Sequence, residues 1–124
     1  MKTNRPLELV YFFTFSTQTA EDGIVYTFIA LDDFSDFIFL LGTETDLTER
    51  SIIDNIIALT QNKDFTNRFE NKPMTLMLPF EKDTVPHGLV TEILKFFNGS
   101  AVYDPDTVFE KIKPVMDAFG VSKS

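Results

Sequence analysis

LDDFSDFIFLL, residues 31–41, is the stretch on which the reading of this chain turns. Asp32, Asp33 and Asp36 lie between two apolar runs. They form either a carboxylate cluster built for chemistry or the tight turn of a hairpin. Asp and Ser favour turns because their short side chains bond to nearby backbone groups. The flanks support the turn. Ile24 to Leu31 before it and Phe37 to Gly42 after it are rich in aromatic and aliphatic residues, as strands are. Further upstream, LELVYFFTFS (residues 7–16) is apolar at both alternating sets of positions. Leu9, Tyr11, Phe13 and Phe15 would share one face, with Val10 and Phe12 on the other, which marks a strand covered on both sides. Thr17 to Gly23 forms a turn region closed by Asp22-Gly23, a hairpin signal. The expectation is an antiparallel meander of three strands.

The pattern then changes period. Asp46 or Thr48 can cap a helix, with Glu49 three residues after Asp46. Ile52, Ile53, Ile56, Ile57 and Leu59 fall at helical spacing. Gln61 to Lys72 is polar and reads as a loop with a partial turn, in which Phe65 and Phe69, like Phe80 later, could be exposed. Met74 to Leu78 is a fourth strand. Thr84 would cap a second helix with Pro86 in its first turn and Leu89, Val90, Ile93, Leu94 and Phe97 as its buried face. Asn98-Gly99 would end it. Ser100 to Tyr103 is a short fifth strand. Asp104 caps a third helix with Pro105 where a missing N–H costs least. Val108, Phe109, Ile112, Val115, Met116 and Phe119 form its face, Gly120 ends it, and Pro114 inside it predicts a bend. The order is βββαβαβα. After the hairpins, strands alternate with helices, so right-handed parallel crossovers follow. The fold class is α/β: a mixed five-stranded sheet with helices on both faces, in a single domain spanning 1–124.

Composition narrows the function classes. The chain has no Cys and one His, His87, so thiolate sites and multi-histidine metal sites are excluded. Net charge is -8, with no basic stripe, which argues against autonomous nucleic-acid binding because phosphate contacts supply most of that affinity. Fourteen phenylalanines and no Trp imply an aromatic core. The N-terminus carries Lys2 and Arg5 before an apolar run, as a signal peptide would, but Glu8 interrupts the run and Gln18 stands where a small residue is needed. No run could cross a bilayer as a helix. A cytoplasmic protein with no cofactor and no membrane contact is expected.

Over Gly23 to Asp46, GIVYTFIALDDFSDFIFLLGTETD, the sequence resembles the catalytic core of retroviral-type and transposon integrases, which have the ribonuclease H-like fold. In that family a strand ends in an Asp-Asp-x-Ser turn, an aromatic strand follows, and a capped helix begins after a Thr-rich segment. FFTFST, residues 12–17, resembles the family's first strand, where the motif reads Asp-Phe-Thr. The order βββαβαβα matches over nearly the whole chain. The resemblance implies three carboxylates around two divalent metals: one midway along the first strand, one just after the fourth and one in the final helix.

At the matching positions this chain has Phe12, Leu78 or Pro79, and Glu110. No Asp or Glu occurs from Leu9 to Ala20, so a shift in alignment does not restore the first ligand. The expectation is a scaffold that kept the fold and lost the site: not an enzyme, but a protein-interaction or structural module, self-associating or paired with another protein. Two rivals stand beside it. One is a metal-dependent nuclease or transposase fragment using Glu81, Asp83 and Glu110. The other is a small-molecule-binding α+β domain. His87 lies near the start of the second helix with no nucleophile or carboxylate beside it in sequence.

Overall fold

The computed structural model describes residues 3–21 and 23–118. Asp22, Phe119 and Gly120, named above as turn and helix-end residues, lie outside them. Three strands come first: β1 (Leu9–Thr19), β2 (Gly23–Asp32) and β3 (Ile38–Glu44). Two helices follow, α1 (Glu49–Gln61) and α2 (Lys63–Arg68), then β4 (Met74–Leu78), α3 (His87–Lys95), β5 (Gly99–Tyr103) and α4 (Pro105–Ala118). The sheet order is β3-β2-β1-β4-β5. β1 pairs antiparallel with β2, and β2 with β3, while β4 runs parallel to both β1 and β5. Mixed pairing follows from the connections: short turns join the meander, and helices carry the chain back for the parallel strands.

Both faces of the sheet are covered. On one side Val10, Phe12, Phe28, Ala30 and Phe39 meet Ile52, Ile56 and Leu59 of α1 and Val90 and Leu94 of α3. On the other, Leu9, Tyr11, Phe13, Ile29 and Leu31 meet Val108, Ile112 and Met116 of α4. Burying one such aliphatic or aromatic side chain contributes about 1.5–3 kcal/mol, so the alternation in β1 supplies both cores at once. Gly42 lets α1 approach β3, since a Cβ there would stand 2.8 Å from the Asn55 Oδ1.

Several local expectations give way to better-satisfied alternatives. Thr48, not Asp46, caps α1. Its Oγ1 accepts from the Ser51 N–H while the Ser51 Oγ accepts from the Thr48 N–H, so each residue satisfies the other's orphan donor. The stretch expected as a loop contains α2, capped by the Asn62 side chain, which accepts from the N–H groups of Asp64 and Phe65. Phe65, one of three phenylalanines that could have been exposed, is buried among Phe39, Phe69 and Phe97; Phe69 and Phe80 are partly buried. Thr84 ends a 3-10 turn (Lys82–Thr84) instead of capping α3, whose N-cap is Pro86 and has no side-chain bond. Leu89 is exposed rather than part of the buried face. Asp104 does cap α4, accepting from the Thr107 N–H at 3.1 Å, and α4 continues through Pro114.

Candidate functional site

The residues of LDDFSDF are bound into the structure. Asp32 is fully buried at the end of β2. Its Oδ1 accepts from the Leu7 N–H at 2.9 Å, and its Oδ2 from the Ser35 N–H at 3.2 Å and the Ser35 Oγ at 2.6 Å. The Asp36 N–H donates to the Asp32 carbonyl at 2.8 Å, and Asp36 takes the left-handed conformation, φ 59°, that Asp tolerates. Asp32 is thus a turn residue whose carboxylate has three donors.

Asp33 joins three other segments. The Thr3 Oγ1 donates to it at 2.9 Å and the Tyr11 hydroxyl at 3.1 Å, and the Lys111 Nζ lies 3.1 Å away. Burial raises the Asp33 pKa, but the bonds from Lys111, Thr3 and Tyr11 outweigh it and hold the carboxyl below its ordinary value. Burial, with the adjacent Asp33 charge, pushes Tyr11 up to about 12. The group clamps α4 to β1 and to the β2–β3 turn. A carboxylate already holding these donors is poorly placed to act as a base.

The metals of the resembled family would sit where β1, the end of β4 and α4 meet. β4 accompanies β1 only from Leu9 opposite Thr75 to Tyr11 opposite Met77, and β1 then continues with β2 alone. A cavity of about 150 Å³ lies in the gap, lined by Phe13, Thr14, Phe15, Pro79, Phe80, Phe109 and Met116. Among the described residues no carboxylate lines it. The Thr14 Oγ1 is buried and has no hydrogen-bond partner among the described residues.

The three positions expected to mark the lost site, Phe12, Pro79 and Glu110, are not brought together. Strand alternation turns Phe12 to the α1–α3 side, where its ring packs 5.7 Å from Phe28 and 6.3 Å from Phe80. Phe13, like Leu9 and Tyr11, is on the face of β1 that meets α4. Pro79 does line the gap, but Glu110 is exposed and lines a separate groove of about 520 Å³ with Leu31, Asp36, Ile38, Lys111 and Pro114. The rival ligand set fares no better. Glu81 and Asp83 are exposed around the 3-10 turn, and among the described residues no group of three His, Cys, Asp or Glu could hold a metal ion. Sequence reasoning missed Phe13, Thr14, Phe15, Phe109 and Met116. The period-two pattern separates Phe12 from Phe13, but it does not say which face the last helix covers.

His87 begins α3. Its Nδ1 lies 2.9 Å from the Tyr103 hydroxyl and its Nε2 3.4 Å from the Thr91 Oγ1. Burial raises the Tyr103 pKa. The pair ties α3 to β5, and none of these contacts is with a carboxylate.

No protein-family model matches the chain, and no curated protein matches it. Among solved structures, a chain of the cryo-electron microscopy structure of simian T-cell lymphotropic virus intasome in complex with PP2A regulatory subunit B56 gamma superposes with a TM-score of 0.60 at 7% identity. The match covers 95% of this chain and 43% of that one, so this chain spans less than half of its neighbour's length. At such identity the likeness is one of fold. With the strand order it places this chain in the α/β class with a ribonuclease H-like arrangement. Among the described residues no helix is long and apolar enough to cross a membrane.

Proposed function

We infer that this chain is an integrase-core-like domain without catalytic activity, acting as a protein-interaction or structural module. One observation carries the reading: the gap between β1, β4 and α4 is lined by Phe13, Phe15, Pro79, Phe109 and Met116, with no carboxylate among the described residues. Two hard cations need several charged oxygen ligands, and hydrocarbon walls would leave them without compensation for lost water. The fold likeness to a chain of an intasome supports the integrase-like half of the reading.

Titration calorimetry with Mg²⁺ and Mn²⁺, paired with cleavage assays on DNA and RNA, tests it. No metal heat and no cleavage are expected. Metal-dependent cleavage that disappears on Glu110→Gln would overturn the reading in favour of the nuclease. A second reading, small-molecule binding, has one observation in its favour: the groove along α4 is walled by Leu31, Ile38, Pro114 and Val115, with Asp36, Glu110 and Lys111 at hand. Saturable binding of an apolar ligand, abolished by Val115→Glu, would favour it.

A further inference from the structure

The hydrogen-bond register of β1 leaves one of its edges open. The Thr75 N–H donates to the Glu8 carbonyl, and the Asp33 N–H donates to the Leu9 carbonyl. Strand alternation then directs the backbone groups of odd-numbered β1 residues to β2 and those of even-numbered ones to the β4 side. The ladder with β4 reaches Tyr11 opposite Met77. Its next donor would be the N–H of residue 79, which is proline and has none. From the Phe12 carbonyl through Thr14, Ser16 and Gln18, backbone groups therefore face a side on which no strand pairs with them among the described residues. Among the described residues, no backbone bond from β4 or the loop after it reaches this edge.

Exposed edges are ordinarily defended by charge, proline or a bulge. The other end of the meander has such devices. β2 and β3 are irregular between Thr27 and Ile29, and the Asn62 Nδ2 donates to the Leu40 carbonyl at 3.2 Å. The open edge of β1 has none: Leu9 to Ala20 contains no charged residue, no proline and no glycine. In a chain of net charge -8, a second copy meets less charge repulsion at this uncharged strand than elsewhere along the sequence.

We propose that the free edge of β1, from Phe12 to Gln18, pairs antiparallel with the same edge of a second copy of this chain. The proposal rests on the interaction-module reading and names its partner. With the two-fold axis at Ser16, Ser16 faces its own counterpart and Thr14 faces Gln18 of the other copy. All of these residues direct their N–H and C=O groups outward, so the register forms hydrogen-bonded pairs. The contact is isologous and closes at two copies.

Sedimentation equilibrium of the full chain between about 1 µM and 1 mM spans the dissociation constants expected of a small interface. Ser16→Pro removes an N–H that only the second copy would use. Ser16→Lys with Gln18→Lys sets like charges across the axis without touching backbone groups. Both should keep the melting temperature and weaken the dimer at least about tenfold. Amide exchange at Ser16 and Gln18 should slow as protein concentration rises. Thr17→Pro, whose N–H is aimed at β2, should instead lower the melting temperature. If Ser16→Pro fails to fold, the double lysine variant decides alone. A chain that stays monomeric across the range, or a dimer that the lysine variant leaves intact, overturns the proposal. The cleavage assay separates this from the function: a monomer without metal-dependent cleavage sinks only the edge pairing, whereas a cleaving dimer sinks only the non-catalytic reading.

Discussion

Asp32→Ala tests whether the aspartates of LDDFSDF are architecture. The carboxylate is fully buried and accepts from the Leu7 N–H, the Ser35 N–H and the Ser35 Oγ. Truncation leaves the Leu7 N–H unsatisfied beneath a residue that is 2% exposed, at a cost of about 1–3 kcal/mol. Ser35 is exposed, so water replaces its two bonds and their loss adds only about 1 kcal/mol. The sum is about 2–4 kcal/mol, large for a domain whose whole stability is on the order of 10 kcal/mol. Urea unfolding should show a lower midpoint with an unchanged slope, the signature of lost stability without a changed denatured state. Asp36→Gly is the control. Asp36 is exposed and its left-handed backbone suits glycine, so that variant should stay within about 0.5 kcal/mol of the parent. A loss below about 1 kcal/mol for Asp32→Ala would refute the turn-anchor reasoning and reopen a functional role for the cluster.

Four further outcomes follow from the contacts described above. Phe12→Ala empties a fully buried site between the sheet and the α1–α3 layer and should cost about 3–5 kcal/mol in chemical denaturation. Tyr11 holds its proton more tightly when folded, so stability is complete below the unfolded value of about 10 and falls as pH rises towards about 12; Tyr11→Phe should flatten that alkaline limb in pH-dependent melting. Asp33 has the opposite sign: its lowered pKa contributes stability above the unfolded value near 3.9 that disappears as pH falls through the folded one, so Asp33→Asn should lose stability at neutral pH and show a shallower acid limb. Thr48→Ala removes the acceptor for the Ser51 N–H and should cost about 1 kcal/mol, visible as a lower melting temperature.

Elements with strong local signals were legible from the chain. The meander announced itself through two-sided apolar strands and Asp-rich turns, and α4 through Asp104-Pro105, because each signal is written within a few residues. The α2 helix was not legible, since its polar sequence is held by one distant burial, Phe65 against Phe39 and Phe97. The start of α3 was misplaced because Thr84 is used in a 3-10 turn first.

The candidate site divides the same way. The absence of Asp and Glu from Leu9 to Ala20 is a property of composition, so the sequence by itself determined that no acidic side chain from this strand reaches the sheet's centre. Which phenylalanines of β1 meet α4 depends on the face that this helix covers, a long-range choice made by packing Val108, Ile112 and Met116. That choice selects Phe13, leaves Glu110 in solvent and separates it from Pro79. The open edge beyond Tyr11 is likewise a tertiary fact: proline at position 79 is visible in the chain, but only the β1–β4 register shows that its absent N–H ends the ladder there.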